Sequence, residues 1–532
     1  MKVHSFLVAF ATALLAVSLL SVFAAEVIAV PDSIMVENQI LEIPQTAEFV
    51  PKKAALSIHL LIDPNRFSGN LDSVTASPSQ TEAIEMSKDL SKGLFALAGL
   101  DFKNELSEWI GPEISFGLLE PNEAQPAFHW VLALSSLEKN GAKDFIEHFW
   151  QKKNLTGTIL SINKYKGIPL ISSENYSQSN QKISLATALV SNNLLLIASD
   201  KKTLEKSLTI SQFPTQNQFG QEKLGNSIKN LTPGLALITV SPKILESLFE
   251  IPPKFSQRTD LNGLVATVKL NKEDITLSGV FDFENLPEER ISLEPLNPIL
   301  INPSNGQEEA IAIINSPSKI IASINRDPIA QLIGPRLIKE IKKANHSSIM
   351  TIAGHDENSL IWLQEPAGWV LGTPKDNPSI SLVAEALKNQ SRSDVIVNDQ
   401  TYKVWSKIIT KRIKGNDALD TELGAILLQD AETNWWGETL AALQQQQEKI
   451  ISPKPLLLAR PSPNNNVQDA LQLSLNKNQA NTELSNWQPW RLMQSLTGHS
   501  YESLVQGVAL RVEPNWTQED PTINLDLTIK LA

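Results

Sequence analysis

No cysteine occurs among the 532 residues. A disulfide framework, a thiolate zinc site, a cysteine nucleophile and a lipid-modified cysteine behind a leader are all excluded. No basic run is present either: 46 Lys plus Arg stand against 58 Asp plus Glu, for a formal net charge of −12. Nucleic-acid binding needs clustered positive charge to displace counterions, so no nucleic-acid partner is expected. Beyond the first 25 residues no apolar run is long enough to span hydrocarbon. The chain also lacks a Gly-x-Ser-x-Gly elbow, a phosphate-binding Gly-x-x-x-x-Gly-Lys-Ser/Thr loop, a Gly-x-Gly-x-x-Gly turn and a His-Glu-x-x-His helix. No catalytic, cofactor-binding or metal-binding residue is therefore assigned from the sequence, and no cofactor is expected.

What is present begins at the N-terminus. Lys2 precedes the apolar stretch Phe6 to Leu20, and Val22-Phe23-Ala24-Ala25 supplies small residues where an export signal is cleaved. Retained, the same stretch is just long enough to anchor the chain. Residues 1–25 are thus expected to be a signal peptide or membrane anchor. The rest is expected beyond the inner membrane, in a periplasm or thylakoid lumen, with membrane contact through the leader if uncleaved. Residues 26–51, punctuated by Pro31, Pro44 and Pro51, read as an extended linker. Residues 286–307 hold Pro287, Pro295, Pro298 and Pro303 and read as a second, stiff linker.

Between and after these linkers, landmarks recur in order. Pro126-Ala127 and Trp130-Val131-Leu132 return about 240 residues later as Pro366-Ala367 and Trp369-Val370-Leu371. The apolar stripe Ala142, Phe145, Ile146, Phe149 is matched by Ile380, Val383, Ala384, Leu387, and Tyr165-Lys166 by Tyr402-Lys403. Ile110-Gly111-Pro112 and Ile333-Gly334-Pro335 also look alike, but at a different spacing. The landmarks predict a tandem pair of similar domains, 52–285 and 308–532.

Strand patterns dominate. Ile275, Leu277, Gly279, Phe281 and Phe283 alternate with mostly polar residues, as do Ile523, Leu525, Leu527, Ile529 and Leu531. A period of two puts one face in the core and one in water, which belongs to antiparallel sheets. Further strands are predicted at 55–62, 113–119, 130–134, 186–198, 235–240 and 456–459. Helices are predicted at 81–98, 141–151, 328–344, 379–389 and 435–449. The expected fold class is α+β, in two similar tandem domains, each a largely antiparallel sheet packed with helices.

Gly99-Leu100-Asp101, Trp109-Ile110-Gly111-Pro112-Glu113, Trp130-Val131-Leu132-Ala133-Leu134, Phe149-Trp150, Tyr165-Lys166-Gly167 and Ala186-Thr187-Ala188 through Ile197-Ala198-Ser199 carry a resemblance. Together they resemble domain-of-unknown-function family thirty-three fifty-two, from Lys52 to the C-terminus. The resemblance implies a cyanobacterial, exported or membrane-anchored protein, and it implies no activity.

The weaker chemical signals are few. Ser136-Leu137-Glu138-Lys139 and Ser316-Pro317-Ser318-Lys319 match Ser-x-x-Lys, a spacing expected by chance in a chain of this composition. Of His4, His59, His129, His148, His346, His355 and His499, none is paired at helical spacing, and His346, His355 and Asp356 alone are near one another in sequence. Solvent-exposed loop histidines are the expectation. Glu288-Glu289 and Glu519-Asp520 read as solvated pairs in connections. Trp130, Trp150 and Trp369 are expected in cores; one each of Trp435-Trp436 and Trp487/Trp490 is a candidate for exposure to a partner. The expected function is a non-enzymatic binding or structural role in the envelope or lumen, toward a protein partner or apolar ligand. The alternative is an exported hydrolase with an unrecognised Ser or carboxylate site.

Overall fold

The computed structural model describes residues 43–60, 100, 105–120, 128–138, 140–155, 157–176, 182–217, 228, 231, 234, 236–270, 274–294, 308–344, 347–413, 416–447, 468–487, 490–491 and 502–531. The leader, the predicted helix 81–98 and the predicted strand 456–459 lie outside these residues, as does most of each predicted linker.

In the first compact unit the strands are β1 (Ala54–Leu60), β2 (Ile110–Leu119), β3 (His129–Ser136), β4 (Leu160–Tyr165), β5 (Ile168–Tyr176), β6 (Lys182–Val190), β7 (Leu194–Ala198), β8 (Ala236–Val240), β9 (Leu261–Leu270) and β10 (Asp274–Phe283). Helices α1 (Gly141–Leu155), α2 (Lys201–Ile210) and α3 (Pro242–Phe249) belong to it. Every pairing within it is antiparallel, in the order β10-β9-β8-β1-β2-β3-β7-β6-β5-β4. α1 forms because Ala142, Phe145, Ile146, Phe149 and Trp150 fall on one buried face, with Lys152 and Lys153 in the last turn to meet the helix dipole. The Trp150 indole N–H donates to Thr187 Oγ1 at 2.8 Å, which fixes α1 on β6. On α2, Leu204 and Leu208 join a core of Val131, Ala133, Leu170, Ala186 and Leu196.

The second unit holds α4 (Pro253–Ser256), β11 (Ala310–Asn315), α5 (Pro317–Ala322), α6 (Pro328–Lys343), α7 (Ser347–His355), β12 (Ser359–Glu365), β13 (Gly368–Pro374) and α8 (Ser379–Ala386). It continues with β14 (Ser391–Val397), β15 (Gln400–Ile413), β16 (Asn416–Gln429), β17 (Thr433–Gly437), α9 (Leu440–Gln447), β18 (Leu471–Asn476), most of α10 (Lys477–Asn486), β19 (Val505–Trp516) and β20 (Pro521–Leu531). Its pairings are antiparallel too, in the order β20-β19-β18-β11-β12-β13-β17-β16-β15-β14. Ile313, Ile361, Leu363, Val370, Tyr402, Ile426, Trp435 and Leu443 make its main core. Asn398 and Asp399 turn the β14–β15 hairpin at φ 50° and 62°, a left-handed pair that Asn and Asp tolerate better than other residues with a Cβ.

The expectation of two similar tandem domains, each with its own sheet packed with helices, is corrected. All twenty described strands belong to one hydrogen-bonded sheet, and ten α-helices are found among the described residues. The compact units are not tandem halves either: the first takes Leu484–Ser503, and the second takes Pro252–Asp260. Alternation along a strand reports which face is buried; it says nothing about which strand edge is already satisfied, so a sequence cannot show where a sheet ends.

Local expectations also shift. The predicted strand 186–198 is a hairpin, β6 and β7, broken by left-handed Ser191 and Asn192. The predicted helix 435–449 starts as strand β17 and becomes helical at Leu440. Ile110-Gly111-Pro112 opens strand β2, whereas Ile333-Gly334-Pro335 sits inside helix α6, so their likeness is one of letters. No described helix is long and apolar enough to cross a membrane.

Candidate functional site

A cluster of titratable and hydroxyl groups in the first unit lies where β7 runs into α2. Asp200 is the N-cap of α2, its extended backbone letting Oδ1 accept the Thr203 N–H at 3.0 Å. Its other oxygen accepts the Thr203 hydroxyl at 2.6 Å and meets His129 Nδ1, from the start of β3, at 2.6 Å. Ser199 completes the group: its Oγ lies 3.3 Å from the same His129 nitrogen and 3.2 Å from Asp200 Oδ2, and it accepts the Trp130 N–H at 3.1 Å. Burial pushes the Asp200 carboxyl up, but the hydrogen bonds from His129 and Thr203 and the His129 charge outweigh it. The result holds Asp200 well below the usual carboxylate range.

A Ser, a His and an Asp in contact invite a nucleophile reading, and the geometry argues against it. A relay places the serine on one imidazole nitrogen and the carboxylate on the other. Here both converge on Nδ1, and the Ser199 proton is directed to Asp200. The cluster is a polar clasp that ties β3, β7 and α2 together. Ser136 and Ser316 are not activated by lysine. Ser136 donates to the Glu138 carbonyl at 2.7 Å, Ser316 donates to the Glu357 carbonyl at 2.9 Å, and Lys319 Nζ is bound to the Ser292 carbonyl.

Histidines in loops were expected, but the four described ones all sit in strands or helices. His59, on β1, is fully buried; its Nε2 meets Ser57 Oγ at 2.9 Å and its Nδ1 meets Ser115 Oγ at 2.8 Å. That string continues from Ser115 to Thr46 and from Ser57 to Thr239, so the chain of hydrogen bonds that satisfies the buried imidazole runs through four segments. His148 and His355 are exposed and hydrogen-bond carbonyls of their own helices, those of Asp144 and Thr351. His346 lies outside the described residues, and Asp356 is buried away from exposed His355. Burial pushes Asp356 up to about 6, against hydrogen bonds from Asn358 and Asn377 and with help from the Asp376 charge. Among the described residues no group of three acidic or histidine side chains is placed to hold a metal.

A second polar centre, which sequence reasoning missed, lies at the end of β12. Glu365 is fully buried and neither carboxylate oxygen has a hydrogen-bond partner among the described residues. Burial, then the charges of Glu308 and Glu309, push it up to about 7. Its place in the apolar-patterned run Leu360-Ile361-Trp362-Leu363 was the only available signal. The adjacent tryptophans differ from expectation as well. Trp435 and Trp436 are both buried, because β17 pairs on both edges and is covered on both faces, while Trp490 is buried and Trp487 half-buried beside Phe249.

Seven of the ten large apolar side chains left in water among the described residues lie on and beside the terminal strands of the two pairing orders. Leu155, Ile159 and Ile162 surround β4; Val395 and Ile396 lie on β14, with Ile408 and Leu419 on the hairpin next to it. Six of the seven residues of β14 are exposed.

None of the curated proteins matches the chain. Among solved structures, crystal form I of TP0453 matches with a TM-score of 0.27 at 8% identity over 47% of this chain and 82% of that one. Crystal form IV of the same protein gives 0.27 at 9% identity over 44% and 79%. The family model described as a protein of unknown function, DUF3352, matches residues 9–498, and the chain belongs to that family.

Proposed function

We propose that this is an exported, non-enzymatic binding protein that takes an extended segment of a partner protein onto the free edge of β14. The carrying observation is that edge itself. Among the described strands β14 pairs only with β15, and Val395 and Ile396 stand in water at 37% and 72% exposure. Soluble proteins ordinarily blunt, shorten or cover such an edge, and strand addition by a partner is the recurrent way of using one. Arg392 and Asp394 alternate with Ser393 and Val395, offering charge on one face for register and apolar contact on the other. The leader-like N-terminus supports a location across the inner membrane, in the periplasm or, given the cyanobacterial resemblance, the thylakoid lumen.

A photo-crosslinking residue at position 396 of the full-length chain, expressed in its own cell, tests this. One discrete protein adduct is expected, lost in an Arg392→Pro background. An adduct pattern no different from that of a probe at the exposed position Leu137 of the first unit would overturn the reading.

A further inference from the structure

Three large apolar side chains of the first unit stand in water close together in the chain. Leu155 ends α1, Ile159 lies just before β4 and Ile162 lies on it, at 88%, 79% and 75% exposure. Register fixes the side to which Ile162 points. It stands opposite Ile171 of β5, which stands opposite Thr187 of β6, so the three share one face of the sheet. Thr187 receives the Trp150 indole N–H, so this is the face on which α1 lies. The helix buries Thr187 and leaves Ile162 uncovered. Asn163, one residue on, stands opposite Leu170, in the core that α2 covers on the other side. Leu155 is off the buried stripe of α1, so it points away from the sheet on the same side as Ile162.

Charge picks out the same place. Residues 148–173 hold four lysines and no acid, in a chain of net charge −12. Lys164 follows Ile162 by two residues on β4, so it shares that face, and it is exposed. Lys152 and Lys153 stand in the last turn of α1 beside Leu155. Lys152 is largely exposed and meets Glu105 at 3.1 Å, and Lys153 lies over the Phe149 ring. Lys166 is turned to the opposite face, over Tyr165 and Phe213, and takes no part. We propose that the end of α1 and the adjoining face of β4 rest on an anionic phospholipid bilayer. Leu155, Ile159 and Ile162 enter between the headgroups, and Lys152, Lys153 and Lys164 meet the phosphates. Apolar side chains bracketed by lysines suit such an interface, because burial of the first and attraction of the second to anionic lipid add. A second copy seated on the same patch sets lysine against lysine, so it fits less well. The inference is independent of the strand addition proposed for β14, since it uses neither that strand nor that unit.

The absence of native cysteine allows a position-specific test that the leader's own membrane affinity does not confuse. Ile162→Cys and, as a reference before the start of α1, Leu137→Cys are made in the full-length chain and labelled with an environment-sensitive fluorophore. Each is reconstituted with vesicles of phosphatidylcholine alone or of an equimolar mixture with phosphatidylglycerol. On the anionic vesicles the fluorophore at 162 is expected to shift to the blue and to be quenched by spin-labelled lipid, and the one at 137 to do neither. Lys164→Gln is expected to weaken the contact about fivefold, read at the phosphatidylglycerol content of half-maximal shift, and Lys164→Arg to retain it. No shift at 162 on anionic vesicles, an equal shift on neutral ones, or an equal shift at 137 overturns the proposal. So does a dimer mass in light scattering that Ile162→Lys returns to monomer, since it assigns the patch to a second copy.

Discussion

At the junction of β3, β7 and α2, the Ser199 N–H donates to the Trp130 carbonyl at 3.0 Å and the Trp130 N–H returns to Ser199 Oγ. At the junction of β13, β17 and α9, the Glu438 N–H donates to the Trp369 carbonyl at 3.0 Å and the Trp369 N–H returns to Glu438 Oε2 at 3.2 Å. The backbone closure is alike, and the chemistry around it is not. The first junction carries His129 against a depressed Asp200; the second has Gly368 in place of a side chain, Thr439 capping α9 through Ala442 N, and the buried, uncompensated Glu365 nearby. One closure draws strength from ionisation, and the other contains an acid that ionisation weakens.

Gly368→Val should break the second closure most severely. Gly368 has φ +133°, and a Cβ there would come within 2.6 Å of Glu438 Oε2, so a loss of roughly 3 kcal/mol in chemical denaturation is expected. Glu365→Gln should act in the opposite direction, with an effect that grows as pH rises above 4.5 and is complete above about 7. Because the folded state raises this acid from 4.5 to about 7, stability falls as pH climbs through that window and is flat above it. The glutamine variant is expected to gain about 2 kcal/mol at pH 8 and almost nothing at pH 4, read from urea midpoints. Smallest is the paired comparison of the two helix caps, Asp200→Ala and Thr439→Ala, each costing about 1 kcal/mol at neutral pH. The Asp200 contribution is complete above its ordinary value of 3.8 and disappears as pH falls toward its depressed folded value. The Asp200 difference should therefore shrink in acid while the Thr439 difference persists; equal pH responses would remove the contrast drawn between the junctions.

How much of this was legible depends on what periodicity can report. The buried stripe of α1 could be read, since it repeats over several turns, and β10 and β20 could be read as strands, but burial along each runs in blocks rather than alternating between two faces as the period of two predicts. The long strands β15 and β16 were not predicted, because from Lys407 to Glu422 charged residues interrupt the apolar ones without a clean period of two. His129 and Asp200 were named or passed over singly, since 71 residues separate them and only the pairing of β3 with β7 brings them together. Glu365 was hidden for the opposite reason. A lone acid at the end of an apolar run reads as a strand terminus in solvent, and burial follows from what packs over the turn rather than from its neighbours in the chain.

Because β3 meets β7 and β13 meets β17 at a single point of departure and return, each intervening three-strand excursion is a detour whose length the remaining strands do not sense. β5 and β6 run 9 residues each, whereas β15 and β16, at the same places in the other pairing order, run 14 each, with no change in which strands are joined around them. Insertions and deletions there should leave the central registers untouched, making these detours the places where relatives can diverge in reach while sharing one scaffold.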